Sequence, residues 1–185
     1  MRDIATECGI SLGNLTYHYH KKESLFAEVY KELLQETHNR YLAYFSTKNG
    51  NENPWVTYVG VNYAHLYSVA CSDSGVSSYI YSTRFPSARQ AYSLANSELL
   101  LSCLKDTPYA ENRQKIRIAC MVGCGGEFEA MYAYSIRKGE YGFEQLITPT
   151  FSARLFLAGV ESDVIQAYVA QGIQKGKDLL NQHTF

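Results

Sequence analysis

The sequence predicts an all-α protein. Three observations carry that expectation: apolar residues recur at three- and four-residue steps, capping residues and prolines punctuate the chain at helix-like intervals, and no segment alternates as a strand would. The 46% hydrophobic content of the 185 residues is enough to bury a sizeable core.

The elements follow in order. Residues 2 to 20 read as two short helices about a turn, with Ile4, Ala5 and Cys8 on one face, Gly9 free to take positive φ, and Ser11 placed to cap the second. From Lys22 to Phe45, the apolar residues Leu25, Phe26, Val29, Leu33, Tyr41 and Tyr44 mark a long amphipathic helix, broken by Asn49-Gly50-Asn51. Asn53 followed by Pro54 is a cap with proline in the first turn and opens a helix to Cys71. Ser72 to Gly75 reads as a loop. Helices are then expected over 76 to 83, 86 to 105 and 111 to 138, the last carrying Gly123, Gly125 and Gly126. Such glycines lower helix propensity but let a second helix come close. Two more, over 143 to 158 and 162 to 181, end the chain, and Pro149 is expected to bend or reset the first.

Composition limits the function classes. The net charge of -1 and the pI of about 6.5 give no overall positive field, so any DNA binding must come from local geometry. Five cysteines without disulfide-like spacing point to a reducing cytoplasm. No apolar run approaches the roughly 18 to 20 residues that span a bilayer. No nucleophile motif, phosphate loop or metal-binding histidine pair stands out, so neither an enzyme nor a cofactor is expected. Glu127 and Glu129, two apart on a helix, point away from each other and make a poor acid-base pair. Cys120 and Cys124 share a helical face, where packing among the glycines is favoured over metal binding.

The informative stretch is IATECGISLGNLTYHYHKKESL, Ile4 to Leu25. A helix-turn-helix needs a small residue at the helix crossing, a glycine in the turn and inward apolar residues on the second helix. Ala5, Gly9, Ile10 and Leu15 meet these needs in order. The string Ile4-Ala5, Cys8-Gly9, Ser11, Gly13, Leu15, Tyr17-His18-Tyr19, Lys22-Glu23 and Leu25 resembles the N-terminal motif of the TetR family of transcriptional regulators, closely over about the first 45 residues.

The resemblance implies a DNA-binding part over 1 to 45 and a ligand-binding and dimerisation domain over 46 to 185. It further implies a ligand-responsive repressor that binds double-stranded operator DNA as a homodimer. By position, Asn14 and His18 correspond to base-proximal contacts, Ser11, Tyr17 and Lys22 to phosphate contacts, and Leu12 to the first turn entering the groove. Tyr19 corresponds to a core aromatic, and whether Thr16 reaches a phosphate stays open.

Family members carry a further helix before Ile4, where this sequence has only Met1, Arg2 and Asp3. The expectation is an N-terminally shortened regulator. The alternative is a helical ligand-binding or dimeric interaction protein that does not bind DNA.

Sixteen tyrosines against one tryptophan suggest a polar-lined pocket, because buried hydroxyls need partners. Trp55, Tyr58, Asn62, His65, Tyr79, Tyr92 and Tyr132 are the expected lining of a cavity for a small, mostly apolar or aromatic effector. Phe151, Leu155 and Phe156 are the expected dimer contacts.

Overall fold

The computed structural model describes residues 1–48, 52–137 and 139–182, with the side chains of 45–48 left aside. The expected break at Asn49-Gly50-Asn51 and the end, at Lys138, of the helix expected over 111 to 138 lie outside the described residues. The described residues are all-helical. The helices are α1 (Arg2–Glu7), α2 (Leu12–His18), α3 (Lys22–Lys48), α4 (Pro54–Ala70), α5 (Asp73–Thr83), α6 (Pro86–Cys103), α7 (Arg113–Ile136), α8 (Phe143–Ala158) and α9 (Ser162–Gln182). A 3-10 turn, Pro108–Glu111, precedes α7. None of these helices is long and apolar enough to cross a membrane.

Local chemistry sets most boundaries. The Asn53 side chain accepts from the Trp55 backbone N–H at 2.9 Å, with Pro54 in the first turn of α4. Ser72 caps α5 by accepting from the Gly75 N–H at 3.0 Å. Most of the expected Ser72–Gly75 loop is therefore the first turn of α5. Gly159, at φ +101°, ends α8 in the left-handed region. α8 runs through Pro149 without a break.

α4 is the centre of the fold. Between Trp55 and Leu66 every residue but Thr57 is buried, as expected of a helix enclosed on all sides. α9 covers one side of it, α7 packs along α8, and α3 lies against α6, α4 and α5. On α3 the buried residues are Leu34, His38 and Tyr41, whereas Val29 and Leu33 are more than half exposed. The inward stripe of this helix is thus offset from the expected one.

The α4–α9 contact depends on two glycines one turn apart. A Cβ on Gly172 would sit 2.5 Å from Val59 Cβ and 3.0 Å from the Val56 carbonyl oxygen, and one on Gly176 would sit 2.9 Å from the Gly60 carbonyl oxygen. Alanine improves intrinsic helix propensity by up to ~1 kcal/mol, but the opposing atoms are backbone and a stiff β-branched side chain, so the overlap prevails. Gly172→Ala and Gly176→Ala are each expected to cost about 1 to 3 kcal/mol in urea denaturation. A stabilised Gly172→Ala protein would refute this packing.

Candidate functional site

The N-terminal unit is built from short-range constraints. Ala5 and Leu15 are its buried apolar contacts, and Gly9 makes the turn at φ +65°, where a β-carbon is disfavoured. Ser11 Oγ accepts from the Asn14 N–H at 3.0 Å, which fixes the start of α2. Leu12, Asn14, Tyr17 and His18 are exposed on α2, Tyr17 at 78%. The Tyr17 and His18 rings meet edge-on at 5.1 Å. Thr16 Oγ1 donates back to the Leu12 carbonyl at 2.8 Å, so its hydroxyl is already engaged within its own helix. Tyr19 is half-buried rather than enclosed, and its hydrogen bond with Glu28 raises its pKa. Two short helices and the start of α3 cannot surround a tyrosine ring.

The start of α3 is docked on the larger bundle. Phe26 lies 5.8 Å from the Tyr81 ring and 5.9 Å from Phe85, and Ser87 Oγ donates to the Glu23 carbonyl at 3.4 Å. The Lys22 ammonium is exposed on one side and stands 6.0 Å from the Tyr81 ring centre on the other. The first turns of α3, which follow directly on α2, therefore rest against the α5–α6 corner.

Inside the bundle, the expected effector residues separate into groups. Tyr58, Asn62 and Tyr92 are fully buried, and Tyr58 and Tyr92 belong to a cluster that sequence reasoning missed. Arg154 and Glu127, both 0% exposed, form an ion pair at 2.6 Å. Arg154 Nη1 also donates to the Tyr58 hydroxyl at 2.7 Å, and the Tyr92 hydroxyl donates to Glu127 Oε2 at 3.2 Å. Cys124 Sγ lies 3.6 Å from Arg154 Nη2, and Cys120 Sγ 3.7 Å from the Tyr58 hydroxyl. Burial pushes both thiols up, which keeps them protonated and unreactive. Burial also pushes the Glu127 carboxyl up, while the Arg154 guanidinium and the Tyr92 hydroxyl pull it part of the way back. Gly123 makes room for this arrangement, since a Cβ there would overlap the Arg154 side chain. Asn62 donates to the Tyr58 carbonyl at 2.9 Å. Trp55 stands apart, edge-on to Tyr109 at 5.2 Å.

Tyr132 is corrected by the structure. It is 47% exposed on the outer face of α7 and has no place in the bundle interior. His65 and Tyr79 do border a cavity of about 240 Å³, but it opens between α3, α4 and α5 rather than inside the expected bundle.

The interface candidates need the same correction. Phe151 and Leu155 are 0% exposed within a single chain, because positions 147, 151, 154, 155 and 158 form the inward stripe of α8. They have no surface left for a partner. Phe156 is 59% exposed on α8, and on the neighbouring α7 Ile118, Met121, Val122 and Ile136 are exposed as well.

No protein-family model matches the chain, and no curated protein or solved structure is significantly similar to it. Function therefore rests on the chemistry of these surfaces.

Proposed function

We propose that the chain is a DNA-binding transcriptional regulator of the TetR kind, a ligand-responsive repressor that binds operator DNA as a homodimer. The observation that carries this reading is the N-terminal pair of helices. A left-handed glycine sets their crossing, a capped second helix exposes Leu12, Asn14, Tyr17 and His18, and α3 continues from them into the bundle. Asn14 is the base-reading candidate, Tyr17 and Lys22 are the phosphate candidates, and Ser11 presents the first turn of α2.

Fluorescence anisotropy with duplexes from the flanking DNA tests it, against scrambled duplexes of equal length. Asn14→Ala is expected to lower the specific-to-scrambled affinity ratio by about 1 to 3 kcal/mol, the worth of one good base contact. Lys22→Ala is expected to weaken both duplexes alike and flatten the salt dependence by about one counterion. Equal affinity of the unaltered protein for both duplexes would refute specific readout.

Dimerisation is the second component. The outer α7–α8 face carries Ile118, Met121, Val122, Ile136 and Phe156, each at least 46% exposed, and nothing lies over Gly125 within 4 Å. Exposed apolar side chains in this number on two neighbouring helices support an interaction surface there. Light scattering is expected to give twice the 20.9 kDa chain mass, and Met121→Arg the single mass. A monomer at micromolar concentration would remove this component.

The alternative, a ligand-binding or interaction protein without DNA binding, draws on the charge of residues 1 to 40, which carry five basic and six acidic side chains. No measurable binding to either duplex in the same titration, even at low salt, would favour it.

A further inference from the structure

The turn between α5 and α6 is a positively charged corner that rests on the start of α3. From Ser74 to Ser97 the chain carries Arg84 and Arg89 and no aspartate or glutamate. Both sides of the corner touch the first turn of α3. The Lys22 ammonium stands 6.0 Å from the Tyr81 ring centre, and Ser87 Oγ donates to the Glu23 carbonyl at 3.4 Å. Arg84 falls between these two contacts in the chain. It caps α5 with helical angles, φ -69° and ψ -21°, so it shares a face with Tyr81 three residues earlier.

The cations at this junction are uncommitted. Lys21, Lys22 and Arg84 are exposed, and Glu23 is the acidic residue in the first turn of α3. Among the described residues, the Lys22 and Arg84 side chains make neither an ion pair nor a hydrogen bond. Arg89 is engaged elsewhere: its Nε donates to the Thr83 carbonyl, and its guanidinium lies 5.8 Å from the Phe128 ring centre.

We propose that the α5–α6 corner makes a second contact with the DNA backbone, in which Arg84 holds a phosphate next to the one held by Lys22. The inference rests on the regulator reading and extends the DNA surface from the first helices to the larger bundle. A strand of duplex repeats its charge every ~3.4 Å of helix axis, so two cations on adjoining turns of one surface meet separate phosphates. A guanidinium suits that role, since its planar fork pairs with two phosphate oxygens at once. The corner also supplies positive charge that the first forty residues lack, with their five basic and six acidic side chains. A backbone contact carries no sequence information, so Arg84 sets affinity and register while α2 reads the bases.

The test is fluorescence anisotropy over a range of salt concentrations, with the specific duplex, the scrambled duplex and one strand alone. Arg84→Ala is expected to weaken both duplexes by about 3- to 10-fold, to flatten the salt dependence by about one counterion and to leave the specific-to-scrambled ratio unchanged. Lys22→Ala/Arg84→Ala is expected to flatten it by about two, because the phosphates are separate. Arg84→Lys is expected to restore the slope. Lys105→Ala, beyond the far end of α6 and at least ~25 Å from the corner, is expected to change nothing. Thermal transitions confirm that each variant is folded.

An Arg84→Ala protein with the affinity and salt slope of the unaltered chain, a loss matched by Lys105→Ala, or an equal dependence on Arg84 for the single strand would each overturn the proposal. Specific duplex binding that ignores Arg84 defeats this inference alone. No binding of either duplex by the unaltered protein defeats the regulator reading, and this contact with it.

Discussion

Replacing Arg154 with methionine is expected to destabilise the protein by about 3 to 5 kcal/mol, the cost of leaving one member of a buried ion pair without its partner. Glu127 is 0% exposed, so no water can take over from the guanidinium 2.6 Å away. The Tyr58 hydroxyl also loses its donor. For a chain of this length the thermal midpoint is expected to fall by about 6 to 20 °C.

The double replacement Glu127→Leu/Arg154→Met discriminates between mechanisms. Removing both charges from an apolar interior is often neutral, so the double variant is expected to be more stable than Arg154→Met alone. Its remaining deficit reports the unpaired Tyr58 and Tyr92 hydroxyls. A single variant within ~1 kcal/mol of the unaltered protein would mean that the pair contributes as little as a surface salt bridge.

The second large effect is acid destabilisation through two histidines. His38 on α3 and His65 on α4 are 3% and 6% exposed, with ring centres 5.9 Å apart and edge to face. Burial is the main cause that lowers His38 to about 3, helped by His65 and Arg154, and burial lowers His65 to about 4. In the unfolded chain both take up protons near the ordinary value of 6.5. Their contribution to stability is thus complete above about pH 6.5 and is lost as pH falls toward the folded values, because protons bind the unfolded state first.

Between pH 7 and pH 5 each histidine is expected to remove about 2 kcal/mol, and the pair about 4. Urea denaturation at the two pH values measures the fall. His38→Gln and His65→Gln are each expected to halve it. A variant with the same pH dependence as the unaltered protein would exclude that histidine as a contributor.

Local signals in the sequence were the readable ones. Asn53-Pro54, Ser11 and Gly9 announce their structures because a cap or a turn is decided by neighbours in the chain. Ser72 has the same chemistry, yet the Gly75 beside it suggested a loop where a helix begins. Which stripe of a helix faces inward was harder to read.

On α8, Phe151, Leu155 and Phe156 look alike in sequence, and the position of α7 buries the first two and exposes the third. On α3, Leu34 is buried while its neighbour Leu33 is not. The Arg154–Glu127 pair left a signal that periodicity alone exposes. Arg154 shares the stripe of Ile147, Phe151, Leu155 and Ala158, and Glu127 that of Cys120, Cys124 and Met131. Charged residues on two otherwise apolar stripes imply each other, because neither is tolerated there alone. The cavity beside α3 could not be read at all, since it depends on how three helices diverge.

The fit of Gly172 and Gly176 against α4 also bears on how the chain is made. α4 is enclosed on every side in the finished protein, but the helix that closes one of those sides is synthesised about a hundred residues later. At ribosomal rates that interval is roughly 5 to 20 seconds. Throughout it, a helix as apolar as Trp55 to Leu66 has left the ribosome without its final cover. That side of α4 gains its cover last, so the α4–α9 contact forms only when almost the whole chain has been made. A change that slows elongation through α7 and α8 would lower the yield of folded protein while leaving the finished molecule identical.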